Sequence, residues 1–438
     1  MINLIVNFWR SVKLCLALYQ GNTTLAEKIL HQIEQSGAKL TWIEQLFRDR
    51  LQSERNFRTY RQQIAAQHRQ LNEFRQKLED LELNTKQSPS NLLTPIPEFI
   101  ELLSKKFKLI EHDESMVQCT GIDRSIFDEF EAKLADFIKD EFNRLSERKN
   151  FYLSLEDAIE DINLLKSGQD PQYKFELSPH VYLMRYFLDN VYCAYLSWFL
   201  IYKSGLLPTK INVLDIAAGS GTIAYGLALL LQSITEFSTL DTQHISYYSL
   251  EQHKDFQYRG LQFWRSYIER QKIATNAYFR FDTSSIFDYN CQSRKIPLNF
   301  FDFIVISHCF FSNPETRIKS QTIYQQIFSN HLKKNGYVLL IIQDKKLLKA
   351  YNVRQSEDPQ QEELTVKTFV EDLGLKLVWY QYLTSRYSRK PISNFGKFAR
   401  ENLACQKFMS PLLRQYFKLN FDSNYTLDDY VILAQSLN

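Results

Sequence analysis

The chain has 438 residues, of which 44% are hydrophobic and 24% charged, with a formal net charge of +3. Such a length admits two domains or one enlarged one, and the composition is that of a soluble globular protein with a real core. So small a net charge excludes a nucleic-acid partner held by overall charge alone; a basic surface would have to be local.

The residue counts, 32 Phe and 25 Tyr against 12 Gly, suggest a well-packed, helix-rich protein. Cys15, Cys119, Cys193, Cys291, Cys309 and Cys405 lie far apart, with no C-x-x-C and no His at metal-ligand spacing. That pattern implies reduced thiols in a cytoplasmic protein and no metal site. The opening "MINLIVNFWRSVKLCLALYQ" carries Arg10 and Lys13 mid-stretch, which predicts an amphipathic helix rather than a signal peptide. "GNTT" (21–24) then separates two helical patterns, with Thr23 or Thr24 as the N-cap.

Residues 55–83 run in heptads, with Phe57, Ile64, Leu71 and Leu78 in one seam position and Tyr60, Gln67, Phe74 and Leu81 in the other. This coiled-coil-like stretch fits a hairpin within the chain or a dimer zipper, and Gln67 leaves the oligomeric state open. "NTKQSPSNLLTPIP" (84–97) ends the pattern. "FKLIEHDESMVQCTGI" (107–122) reads as a short hairpin, and 123–148 as an amphipathic helix. Residues 1–165 are therefore expected to form an all-α N-terminal domain suited to substrate or protein-partner recognition. "KSGQDPQYKFELSP" (166–179), with Gly168 and two prolines, marks its boundary.

The second half repeats strand–helix units. Strands are expected at "INVLDI" (211–216), "ISYYSL" (245–250), "AYFRFD" (277–282), "FDFIVIS" (301–307), "YVLLII" (337–342), "LKLVWYQYL" (375–383) and "DYVILAQ" (429–435). Alternation of this kind implies an α/β fold with helices on both faces of a largely parallel sheet. The charge-free run 216–235 has the length of a membrane span, but its glycines follow an acidic strand end. It reads as strand, loop and helix, so no membrane span is expected.

"VLDIAAGSGTIAYG" (213–226) concentrates glycines between a strand and a helix. Such a turn brings backbone N–H groups to a nucleotide without Cβ interference. "GSGTIA" also satisfies the dinucleotide pattern G-x-G-x-x-A, which keeps an NAD-dependent oxidoreductase open. Against it, Asp215 precedes the loop, and the next strand-end acid, Glu251, follows Gly221 by about 30 residues rather than about 20.

With its ordered successors, the loop resembles motif I of class I S-adenosylmethionine-dependent methyltransferases. "YSLEQ", "FRFDTSS", "FDFIVISH", "HLKKNGYVLLII" and the closing "DYVILAQ" match that family's later blocks in order, over about residues 175–438. The resemblance implies a seven-stranded Rossmann-like sheet whose last strand is antiparallel, with S-adenosylmethionine as cofactor. It implies cofactor contacts from Asp215, Ala217, Ala218, Gly219, Ser220 and Gly221, and ribose recognition by Glu251 beside Gln252. Asp282 and Thr283 fall at the adenine edge, and Ser307 at the end of motif IV. Ala217 departs from the family by standing where its first glycine would be.

His308, after the fourth strand, is the candidate base. Upstream, Tyr182, Arg185, Tyr186 and Asn190 share a helical face that would reach the methionine moiety. Between the sixth and seventh strands, 386–428 holds eight basic residues (Arg386, Arg389, Lys390, Lys397, Arg400, Lys407, Arg414, Lys418) against three acids, with eight aromatics interleaved. Such an insert suits RNA or a ribonucleoprotein, or else forms a cap on the sheet. The resulting reading is a methyltransferase acting on a macromolecule, RNA or ribosome-associated first and protein next. A non-catalytic assembly or scaffold protein retaining the fold is the alternative.

Overall fold

In the computed structural model, the described residues are 2–20, 22–36, 45, 48, 92–167, 169–238, 244–271, 276–293 and 295–437. They divide into two units, Met1–Pro89 and Ser90–Asn438.

In the first unit, α1 (Ile2–Tyr19) and α2 (Thr23–Gln35) share a small core of Leu14, Ala17, Ala26, Ile29, Leu30 and Ile33. The N-cap of α2 is Asn22, not Thr23 or Thr24. Its side-chain oxygen accepts from the Leu25 N–H (3.1 Å) and the Thr24 hydroxyl (3.0 Å), and Asn outranks Thr at this position. The expected heptad segment, 55–83, lies outside the described residues.

The second unit begins with α3 (Pro97–Lys106), β1 (Leu109–Glu111), β2 (Met116–Cys119), α4 (Arg124–Leu145) and α5 (Phe151–Asn163). The short α6 (Ser178–Tyr182) and a π-turn at Leu183–Phe187 lead into α7 (Leu188–Lys203). Next come β3 (Lys210–Ile216), α8 (Thr222–Phe237), β4 (His244–Glu251), α9 (Lys254–Tyr267) and β5 (Asn276–Thr283). After these run β6 (Phe301–Ser307), α10 (Pro314–His331), β7 (Leu332–Gln343), α11 (Asp344–Ala350), α12 (Pro359–Asp372) and β8 (Leu375–Thr384). The chain closes with α13 (Phe395–Asn402), α14 (Met409–Phe417) and β9 (Asp428–Ser436).

All seven expected strands are present as β3–β9, in one mixed sheet of order β1-β2-β8-β9-β7-β6-β3-β4-β5. β9 runs antiparallel between β7 and β8, while β7-β6-β3-β4-β5 are mutually parallel. The central strands are apolar on both faces because both are covered. Val213, Phe303, Val305, Leu339 and Ile341 face a layer that includes α4, α7 and α8. Leu214, Ile216, Ile304, Val338 and Leu340 face α10 and α12. Alternate strand residues point to opposite faces, so one sequence run serves two cores.

Two corrections follow. The sheet has nine strands rather than seven, because the hairpin β1–β2 joins its edge, with β2 parallel to β8. Residues 92–163 therefore do not belong to a separate all-α domain. The boundary falls at Pro89/Ser90 and not at 166–179. The apolar stripe of α4 explains this: Phe127 and Phe130 pack edge-on or tilted against Tyr192, Tyr195, Tyr225 and Phe263 of the sheet-covering helices.

Candidate functional site

The carboxyl ends of β3, β4 and β6 open onto a cleft of about 210 Å³. β3 lies between β4 and β6, so the cleft sits where the strand order reverses, the usual ligand position in an open α/β sheet. In the loop after β3, Ala217, Gly219 and Gly221 all have positive φ, at 55°, 55° and 81°. Glycine adopts this conformation freely, whereas for Ala217 it costs on the order of 1 kcal/mol. A Cβ added at Gly219 or Gly221 would meet nothing within 4 Å. The loop backbone therefore presents an open cradle. Its underside is closed: a Cβ at Gly260 of α9 would stand 2.3 Å from the Ser220 carbonyl oxygen. Gly260→Ala is expected to push the loop away and lower stability by roughly 1–3 kcal/mol. An unchanged urea midpoint would show that the loop does not rest on α9.

Glu251, buried at the end of β4, ties the cradle down. One carboxylate oxygen accepts the Gly219 N–H at 2.9 Å and the other the His253 N–H at 2.8 Å. A carboxylate offers about four lone-pair sites, so roughly half its capacity remains for hydroxyl donors in the cleft. Burial raises its pKa, and the His253 and Gly219 amides oppose that rise. Gln252 and His253, also in the wall, are hydrogen-bonded to each other at 2.9 Å.

Asp215 is placed differently from its expected role. It points to the other side of β3, fully buried, accepts a hydrogen bond from the Tyr247 hydroxyl and does not line the cleft. Burial pushes its carboxyl up to about 8. It is a neutral internal acid beneath the loop. Ala218, Ser220 and Gly221 shape the loop without lining the cleft; the Gly221 N–H donates to the Ala218 carbonyl at 2.8 Å. At the end of β5, Asp282 accepts from the Ser284 hydroxyl (3.1 Å) and Thr283 donates to Gln257 (2.8 Å). The wall there is instead Ser284, Ile286 and Phe287, one turn further along the chain.

After β6 the chain turns sharply at His308 (φ 60°). The His308 imidazole is held at both nitrogens. Nδ1 lies 2.9 Å from the Ser307 hydroxyl, and Nε2 lies 3.0 Å from Asp429 of β9. Ser307 and His308 line the cleft, and Asp429 supports them from behind, itself buried. Cys309 also lines the cleft, but burial pushes its thiol up to about 11, so it is no nucleophile near neutral pH. On the opposite wall stand Tyr182, Tyr186 and Asn190, with the Asn190 amide donating to the Tyr182 hydroxyl at 2.7 Å. Arg185, from the same helical face, does not line it.

The cleft thus gathers Ala217, Gly219, Glu251, Gln252, Ser307 and His308, and leaves Asp215, Ala218, Ser220, Gly221, Asp282 and Thr283 outside its lining. Asp170, Tyr173, Ser284, Phe287, Lys346 and Asp429 escaped sequence reasoning. Ser284 and Phe287 follow directly on "FRFDTSS" and were legible by position. Asp429 opens the recognised closing strand, but only sheet pairing brings it to His308.

Most of the 386–428 insert's charge is already neutralised. Arg386 pairs with Asp344 (2.8 Å) and Asp428 (2.7 Å), and Arg389 with Asp113 (2.6 Å) and Glu362 (2.9 Å), both arginines buried. Lys397, Lys407 and Arg414 pair with Glu401, Asp128 and Asp422. Helix α14 starts on the buried carboxylate of Glu131 in α4, which accepts the Phe408 and Met409 N–H groups at 2.7 and 2.9 Å. The insert is a cap bound to the body.

Among the described residues, no helix is long and apolar enough to cross a membrane, and no group of three or more His, Cys, Asp or Glu could hold a metal. No protein-family model matches the chain, and no curated protein matches it. Among solved structures, it is similar to an S-adenosylmethionine-dependent methyltransferase from Methanosarcina mazei. Identity there is 17%, over 53% of this chain and 94% of that one, with a TM-score of 0.30. It is also similar to a 16S rRNA (adenine(1408)-N(1))-methyltransferase from Catenulisporales acidiphilia: 9% identity, 57% and 91% coverage, TM-score 0.29. A third is loganic acid methyltransferase with S-adenosylhomocysteine: 11% identity, 57% and 94% coverage, TM-score 0.30. At these values the likeness is one of strand and helix layout, and the reading of function rests on the cleft itself.

Proposed function

We propose that the protein is an S-adenosylmethionine-dependent methyltransferase. The observation that carries this reading is Glu251, clamped to the Gly219 amide at the mouth of an open glycine cradle, with acceptor capacity left toward the cleft. The residues present fit the cofactor on that ground. Glu251 would accept the ribose hydroxyls, the Ala217–Gly219 backbone would hold the methionine end, and Ser284, Ile286 and Phe287 would flank the base. When bound, S-adenosylmethionine supplies an electrophilic methyl group on sulfur.

The chain's own residues supply positioning and a proton path. With Asp429 accepting from Nε2–H, His308 presents an unprotonated Nδ1 to the Ser307 hydroxyl. Ser307 can then take a proton from an acceptor while passing its own to His308, and Asp429 stabilises the imidazolium that forms. A nicotinamide nucleotide is less well served. On the β6 side the cleft is walled by Phe310 and Phe311, which occupy the place of the second half-site it requires.

His308→Ala is expected to lower kcat by about 10²–10⁴-fold, with calorimetric affinity for S-adenosylmethionine unchanged. Full turnover in that variant would remove the proton path. Absence of S-adenosylmethionine binding to the wild-type chain would defeat the whole reading, and binding of NADH in its place would favour the oxidoreductase. Binding without transfer to any cell fraction would favour the scaffold.

An RNA acceptor rests on Arg400 and Lys418, insert cations for which no ion pair is found among the described residues, whereas Lys390 lies beside Glu357, which accepts its N–H at 3.0 Å. A protein partner would dock on the N-terminal helices, where Leu16 and Tyr19 are exposed.

A further inference from the structure

The segment Gln169–Leu177, within the stretch that reads as a linker in the sequence, forms a wall of the cleft. Asp161, buried in α5, accepts the Gln172 N–H at 2.9 Å and the Tyr173 N–H at 2.8 Å and so fixes its middle. Tyr173, held at φ 54°, sets its ring edge-on to Phe256 (5.4 Å) and His253 (5.7 Å). Asp170 then reaches residues that follow β6 and β7. Its carboxylate accepts the Ser312 N–H at 2.9 Å and pairs with Lys346 Nζ at 3.1 Å. Lys346 also donates to the Phe310 carbonyl at 3.0 Å.

Among the described residues, Lys346 is the only Lys or Arg that lines the cleft. Its side chain is 11% exposed, against 35% for Asp170. A nearly buried ammonium requires a counter-charge, and the charge that supplies it sits on the more exposed partner, on a connecting segment. The remaining walls on this side are rings: Tyr173, Tyr182, Tyr186, Phe287, Phe310 and Phe311. A cleft walled in this way suits a small molecule with an apolar or aromatic body and one anionic group.

Resting on the methyltransferase reading above, we infer that the methyl acceptor is a small organic acid whose anionic group replaces Asp170 on Lys346. The Asp170–Lys346 pair is the latch that holds the Gln169–Leu177 wall closed until the acid arrives. Lys346 has three donors, one on Asp170 and one on the Phe310 carbonyl, so an acid that takes two of them displaces the more exposed Asp170. The acceptor's methylated atom is a different one, next to Ser307.

The test uses the full chain. Calorimetry with S-adenosylmethionine comes first, and failure to bind there defeats the methyltransferase reading rather than this one. Cell extract is then separated into anionic small molecules, neutral and cationic small molecules, RNA and protein. Each fraction is incubated with enzyme and tritiated S-adenosylmethionine. Label is expected only with the anionic small molecules. Label with any other fraction, or with none, overturns the inference.

Lys346→Met should lower that transfer by at least about tenfold with S-adenosylmethionine affinity unchanged, and Lys346→Arg should restore it in part. Weakened cofactor binding in Lys346→Met would assign the lysine to the cofactor and overturn the acceptor role. Asp170→Asn should speed stopped-flow release of S-adenosylhomocysteine roughly five- to tenfold, and an unchanged release rate would show that the pair is no latch.

Discussion

Glu251→Ala is expected to weaken S-adenosylmethionine binding by about 30- to 1,000-fold, or roughly 2–4 kcal/mol. Two losses add. The ribose would lose its charged acceptor, and the Gly219 and His253 N–H groups would lose theirs. The second loss acts on the cradle, because Gly219 is held in its left-handed conformation beside that bond. Glu251→Gln should fall between the two, since it keeps an acceptor oxygen but places an amide donor against one of the two N–H groups. Titration calorimetry on the three proteins checks the order. Wild-type affinity in Glu251→Ala would remove both the ribose assignment and the clamp.

Arg389→Ala is expected to destabilise the fold by about 3–5 kcal/mol, the usual result of stripping one partner from a buried charge cluster. The guanidinium contacts Glu362 through Nε (2.9 Å), Asp113 through both terminal nitrogens (2.6 and 3.0 Å) and the Ser115 hydroxyl (2.8 Å). It thereby joins the β1–β2 turn, helix α12 and the chain leaving β8. Left alone, Glu362 would be a buried carboxylate facing only neutral hydroxyls among the described residues, those of Tyr430 (3.1 Å), Ser115 and Tyr380.

The pH dependence carries a sign. The hydrogen bonds from Arg389 hold the Asp113 carboxyl well below the usual carboxylate range. A depressed folded-state pKa stabilises above the unfolded value, and that contribution fades as pH falls below about 4. The gap between wild type and Arg389→Ala in denaturant unfolding should therefore be full at neutral pH and narrow only in acid. Asp113→Asn/Glu362→Gln added to Arg389→Met should recover most of the loss, because no charge then remains buried and unpaired. Equal stability of Arg389→Ala and wild type at pH 7 would make the cluster ornamental.

The same residue shows what a count of charges leaves out. Eight basic residues in 386–428 are a fact of composition, yet Arg386, Arg389 and Lys407 take counter-charges from acids outside that window. Asp113 is 276 positions from Arg389, and Asp128 is 279 from Lys407. A one-dimensional window cannot contain its own counter-ions when the fold brings them from the other end of the chain. The expected all-α domain differs from the observed unit for a related reason. β1 and β2 are too short to announce which sheet they join, and β2 reaches β8 only because both run along the same edge.

What the sequence determined by itself was whatever depends on neighbours in the chain. Short apolar runs between helical stretches placed seven strands of the sheet. Glycines after a strand end marked the loop that φ angles of 55° and 81° require. Those signals are local because backbone sterics and side-chain alternation are local. Only the tertiary structure decided which side of a strand each acid serves. Asp215 and Glu251 look alike in sequence as strand-end carboxylates. One turns into the core to meet Tyr247 and is forced neutral, while the other turns to the Gly219 amide at the cleft. Asp429 beside His308, and Asp170 beside Lys346, were equally beyond reach of the sequence. Each pair is formed by segments more than 100 residues apart, and no local rule of chain geometry connects them.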